Sequence, residues 1–160
     1  MKKTFIFLSL FASVSLFAQS ESKEKSFKST MEVKASPQEA WNTITDVAQW
    51  KHWDNRIVDV RFPGPLKEKG TGQLITDDAK VVEFKVTELE DARMYTYKHK
   101  LSSGVVYTKR MVMASDTGTS ISEEVWFKGM SRKTFEKYCG SDYTAQIAQK
   151  LERLKAMVEK

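Results

Sequence analysis

The stretch "RMYTYKHKLSSGVVYTKRMVMASDTGTSISEEVWFKG", Arg93–Gly129, decides how this chain folds. Three alternating runs are joined by Ser102-Ser103-Gly104 and Asp116-Thr117-Gly118, which reads as three antiparallel strands in consecutive hairpins. Glycine in third place predicts three-residue loops, whose last residue takes φ > 0. Leu101 then faces Val105 and Ser115 faces Thr119, so odd-numbered positions share one face of all three strands. That face carries Tyr95, Tyr97, His99 and Leu101, then Val105, Tyr107, Lys109, Met111 and Met113. The third strand adds Ile121, Glu123, Val125 and Phe127. The even face places Arg110 opposite Glu124, an ion pair suited to water. The odd face is therefore expected to be the buried one.

Outward from this stretch, "FKSTMEVKA" alternates as a half-buried strand, and "IVDVRF", "QLIT" and "KVVEFKVTEL" extend the count to about seven. Between the first and second strands, Ser36-Pro37-Gln38-Glu39 supplies an N-cap, a proline at the first helical position and a glutamate three residues after the cap. A second short helix is expected near Trp50. The two helices carry Trp41, Trp50 and Trp53, three of the four tryptophans, and so much indole needs an apolar surface to lie on. The chain closes with helical spacing over roughly Ser131–Glu159, where Phe135, Cys139, Tyr143, Ile147, Leu151, Leu154 and Val158 recur at three and four. Gly140-Ser141 is placed to kink or divide that helix.

At the N-terminus, Lys2 and Lys3 precede an apolar run from Phe5 to Phe17 that ends at Ala18. This is the pattern of a secretory signal peptide, and the run of about 13 residues is short for a spanning helix. The expectation is cleavage after Ala18, a flexible lead-in over residues 19–25, a single domain over 26–160 and a periplasmic or secreted location without a stable membrane anchor. The net charge of +5 falls to about +3 once Lys2 and Lys3 are removed, too mild to point to nucleic acid. Cys139 is the sole cysteine, so no internal disulfide forms, and a buried, inert thiol is expected. His52 with Asp54 offers too few ligands for a metal, and no phosphate-binding glycine loop or nucleophile elbow is present. Neither a metal nor a cofactor is expected. Nothing in the sequence sets the oligomeric state.

Strand, two short helices, six further strands and a long C-terminal helix form an α+β helix-grip order: a curved antiparallel sheet wrapped around that helix. In the segments "ASPQEAWNTITD", "WKHWDNRI", "GPLKEKGTGQL", "VTELEDAR", "TGTSISEEV" and "LERLKAMVEK", taken in order, the chain resembles the START/Bet v 1-like (SRPBCC) superfamily, in its polyketide cyclase/dehydrase and lipid-transport branch. The resemblance implies a hydrophobic ligand held between sheet and helix. No catalytic set is common to the branch, so none is carried over.

Two functions follow. The first is an exported protein that binds a small hydrophobic or aromatic ligand, lipid or polyketide-like, through Trp53, Tyr95, Tyr97, His99, Tyr107, Lys109, Met111, Glu123, Val125 and Phe127. Aromatic and Met surface with a few polar groups is the mixture that ligand pockets show. The second is a cyclase or dehydratase in which inward Lys109, Glu123 and Tyr97 act as acid/base groups. The reading leans toward binding, because a buried Lys109/Glu123 pair is more simply structural.

Overall fold

The computed structural model describes residues 26–160; the expected signal peptide and lead-in lie outside them. Strand β1 (Ser26–Val33) leads into helix α1 (Pro37–Thr45), a 3₁₀ turn at Val47–Gln49 and helix α2 (Trp50–Trp53). Strands β2 (Ile57–Arg61), β3 (Thr71–Thr76), β4 (Val81–Glu90), β5 (Met94–Leu101), β6 (Gly104–Ser115) and β7 (Gly118–Lys128) follow. Helices α3 (Arg132–Cys139) and α4 (Tyr143–Val158) end the chain. The seven strands form one antiparallel sheet in the order β1-β7-β6-β5-β4-β3-β2. This is the expected helix-grip architecture.

Local chemistry explains the helix ends. The Glu39 backbone N–H donates to Ser36 Oγ, and the Ser36 N–H donates to the Glu39 carboxylate at 2.9 Å, which closes the capping box. Asp46 caps the 3₁₀ turn through the Ala48 N–H. The C-terminal helical pattern divides at Gly140: α3 ends there, and Asp142 accepts from the Ala145 N–H to start α4. Trp41, Trp50 and Trp53 are all buried between α1, α2 and the sheet. Each buried indole removes about 150–250 Å² from water, an upper bound of roughly 4–6 kcal/mol.

The strand pairing corrects the sequence reading at β6. Leu101 pairs with Gly104 and Ser115 with Gly118, so both loops hold two residues, not three. Odd positions of β5 and β7 still face inward, but they lie opposite even positions of β6. A one-residue change in register turns every β6 side chain over. Val106, Thr108, Arg110 and Val112 are buried, while Tyr107, Lys109, Met111 and Met113 occupy the outer face, Met113 being exposed. The glycines have a different cause from the one inferred. A Cβ on Gly104 would sit 2.4 Å from the Lys128 carbonyl oxygen, and one on Gly118 would sit 2.4 Å from that of Val33. Close backbone approach requires glycine at 104, and at 118 it acts together with φ of +142°.

Candidate functional site

Four charged side chains from separate elements meet inside the fold. Arg110 (β6), Glu123 (β7), Lys150 (α4) and Asp54, the residue that ends α2, are all buried. Arg110 Nε donates to Glu123 Oε2 at 2.7 Å, and Lys150 Nζ donates to Glu123 Oε1 at 2.7 Å. Lys150 Nζ lies 3.0 Å from Asp54 Oδ2, which in turn is 3.9 Å from Arg110 Nη2. The backbone N–H of Arg56 donates to the other Asp54 oxygen. Two cations thus meet two anions, and the cluster carries no net charge in the charged state.

Burial opposes ionisation of Asp54, but Lys150 and Arg110 outweigh it and hold the carboxyl below its ordinary range. Glu123 follows the same balance and is also lowered. For Lys150, burial favours the neutral amine, yet Asp54 and Glu123 raise its pKa above the ordinary lysine value. Opposite charge at hydrogen-bond distance prevails over desolvation in all three.

The tryptophans surround this cluster. The Arg110 guanidinium lies 4.3 Å from the Trp53 ring centroid and 4.7 Å from that of Trp50, with the Tyr97 ring at 5.4 Å. Trp50 stacks on Tyr97 at 5.3 Å and on Tyr95 at 6.0 Å. Arg110 Nη1 donates to the Tyr95 hydroxyl, which donates onward to the Ile44 carbonyl at 2.8 Å; the Trp50 indole N–H reaches the same carbonyl at 2.9 Å. The indole-rich segment therefore houses a buried guanidinium against aromatic faces.

Beside the cluster, a half-open cavity of about 150 Å³ lies between the sheet and the α3–α4 break. Tyr97, His99, Val106 and Thr108 line it from the sheet, with Asp54, Tyr143 and Lys150 opposite. Its rim includes Asp78, Lys80 and Tyr138. Ser102 Oγ and the Tyr138 hydroxyl, 2.6 Å apart, tie α3 to the β5–β6 loop, and Arg56 donates to the carbonyls of Tyr138 and Cys139. His99 Nδ1 is buried without a hydrogen-bond partner among the described residues, as are Trp53 Nε1 and Arg110 Nη2. Burial lowers the His99 pKa to about 4, with Arg56 and Lys150 adding to the effect, so its imidazole is neutral at pH 7. The hydroxyls of Tyr97, Thr108 and Tyr143 likewise form no hydrogen bond within the described residues. A larger, open depression of about 590 Å³ lies along α1 beside Phe62 and Leu66, but none of the buried charged groups reaches it.

Tyr97 and His99 therefore line the cavity as the sequence placed them. Trp53, Tyr95, Glu123, Val125 and Phe127 point inward but belong to the packed surroundings. Tyr107, Lys109 and Met111 are on the outer face, and the Lys109/Glu123/Tyr97 constellation is not assembled. Arg110 pairs with Glu123 in the core, not with Glu124 in water. Asp54, Thr108 and Lys150 were missed. Lys150 could have been found, since it stands three residues after Ile147 and four before Leu154 on the apolar stripe of α4; Asp54 offered no such signal. The Cys139 thiol is half-buried, and burial raises its pKa. His52 is exposed, and among the described residues no group of three or more His, Cys, Asp or Glu side chains is placed to hold a metal ion.

With this geometry in place, comparison with known proteins decides the family. The sequence model described as polyketide cyclase / dehydrase and lipid transport matches residues 24–159. The chain belongs to that family. No curated protein matches it. Among solved structures it is similar to hypothetical protein jhp0584 from Helicobacter pylori, with a TM-score of 0.69 at 14% identity, covering 95% of this chain and 99% of that one. It is also similar to protein MLL2253 from Mesorhizobium loti, with a TM-score of 0.68 at 14% identity over 84% of this chain and 96% of that one. The di-domain ARO/CYC StfQ from the steffimycin biosynthetic pathway aligns with a TM-score of 0.66 at 12% identity; the match covers 88% of this chain and 54% of StfQ. These likenesses establish a shared fold. No helix among the described residues is long and apolar enough to cross a membrane.

Proposed function

We propose that this protein binds a small organic molecule of about one aromatic ring in the cavity beneath the α3–α4 break, and that it does so after export, with residues 1–18 removed. The observation that carries the reading is a half-open space of about 150 Å³ lined by Tyr97, Tyr143 and Val106, into which the wall residues His99 and Thr108 and the Asp54–Lys150 pair bring polar groups. Apolar walls with a few convergent polar groups are what ligand sites show. The volume suits a benzene-sized molecule and is below the roughly 300 Å³ at which drug-sized pockets begin. A phenol or a small aromatic carbonyl compound matches the lining, since hydroxyl and imidazole groups would meet its oxygen. A long acyl chain does not fit without displacement of α3.

The polar groups favour binding over catalysis by Glu123, because both of its oxygens already accept from Arg110 and Lys150. A catalytic reading is better supported at His99, a neutral imidazole with an unpartnered Nδ1 at the cavity wall. Native mass spectrometry of protein from its own host, followed by titration with simple phenols, tests the proposal. Thr108→Leu fills the cavity and is expected to weaken phenol binding by at least about tenfold, the loss of one well-placed contact. Equal affinity in the wild type and Thr108→Leu would refute the site. The intact mass of the mature chain tests cleavage after Ala18.

A further inference from the structure

The outer face of the sheet is built differently from an ordinary solvated surface. Toward the β5–β6 loop it carries Lys28, Lys85, Lys98, Lys100, Lys109 and Lys128 on five adjacent strands. Glu124 stands between Lys28 and Lys109 in one row that ends at Glu88, and Glu83 is two residues before Lys85 on β4, paired with Gln73. None of the six lysines is held in an ion pair among the described residues. Between them runs an apolar stripe. Tyr107 and Trp126 are cross-strand partners on β6 and β7, stacked at 5.2 Å with planes 5° apart, and both are half-buried. Lys128 Nζ lies 5.5 Å from the Tyr107 centroid. Met111 and Met113 lie beyond Lys109 on the same face of β6, Met113 being 53% exposed. This inference is independent of the cavity reading.

We propose that this face docks the protein on an anionic phospholipid surface. The charge excess is complementary to phosphate head groups. The Tyr107–Trp126 pair has the amphipathic rings that sit at head-group depth, and methionine adds flexible apolar contact. The patch lies on the opposite side of the sheet from the cavity, since His99 and Leu101, which flank Lys100, are cavity-lining residues. A membrane-docked molecule would thus keep the sheet between its cavity and the lipid.

The test is sedimentation of the mature chain, from Gln19 onward, with phosphatidylcholine vesicles, with and without phosphatidylglycerol. The triple variant Lys98→Glu, Lys109→Glu, Lys128→Glu is compared with the control Lys133→Glu, Lys137→Glu, Lys155→Glu, which keeps the same net charge and the same N-terminal segment. The expected result is binding to the phosphatidylglycerol vesicles that falls at least about tenfold in the first triple variant and much less in the control. Trp126→Ala is expected to reduce it several-fold while the melting temperature stays within a few degrees, as for a surface change. Equal loss in both triple variants, equal binding to neutral vesicles, or tighter binding of the patch to heparin or an oligonucleotide than to the vesicles would each overturn the proposal.

Discussion

Arg110 and Lys109 are neighbours on β6, and their cross-strand partners Glu123 and Glu124 are neighbours on β7. The two pairs have the same charges and nearly the same backbone, yet they are different physical objects. Arg110–Glu123 is buried at 2.7 Å, backed by Lys150 and Asp54 and enclosed by indole rings. Lys109 and Glu124 lie on the outer face and form no ion pair within 4.0 Å among the described residues. Burial raises both the cost of each charge and the strength of each interaction, so loss of a single partner is severe on one face and nearly silent on the other.

Glu123→Gln leaves Arg110 and Lys150 buried with too little compensating charge. Chemical denaturation is expected to show a loss of about 3–5 kcal/mol, the usual cost of breaking a buried pair by one partner. A loss under about 1 kcal/mol, within the range of exposed pairs, would erase the contrast.

Acid should weaken the inner face next. The folded His99 resists protonation down to about 4, whereas its unperturbed value is 6.5, so the unfolded chain takes up the proton first as pH falls. Stability is therefore intact above about 6.5 and declines through the window down to about 4, by about 3 kcal/mol in all. Below that window, protonation of Asp54 and Glu123 removes more, since their pKa values are lowered in the folded state. Melting temperature against pH checks this: His99→Gln should flatten the upper part of the curve and leave the lower part.

Gly104→Ala tests the turn that separates the faces. Its Cβ would meet the Lys128 carbonyl, and the expected cost is about 1–3 kcal/mol, as for other overpacked sites. The smallest effect is that of Glu124→Gln, expected within about 0.5 kcal/mol as for other surface changes. Urea midpoints with unchanged slopes would report both.

The fold was legible because its signals are local. The Ser36-to-Glu39 capping box, the alternation in each strand and the three-and-four spacing from Phe135 to Leu154 each identify an element without knowledge of its neighbours. The site depended on parity, which is a relation between strands. On β5 and β7, Tyr95, Tyr97, Glu123 and Val125 were placed correctly because the two register errors cancel across β6. On β6 they do not cancel, so Lys109 was exchanged for Arg110 and Tyr107 for Thr108. Composition could not reveal the mistake, because β6 is amphipathic on both faces: Val106 and Val112 balance Met111 and Met113. The misleading cue was glycine itself, read as a turn residue when Gly104 answers to the approach of Lys128 from the next strand.

Thiol labelling along β6 addresses the central claim directly. In a Cys139→Ala background, single cysteines at Val105, Tyr107 and Lys109 are expected to react readily with a bulky maleimide, and those at Val106 and Thr108 to be protected until the protein unfolds. Fast labelling at 106 and 108 with protection at 107 and 109 would contradict the account, because it would turn Arg110 outward and dissolve the buried cluster on which the cavity rests.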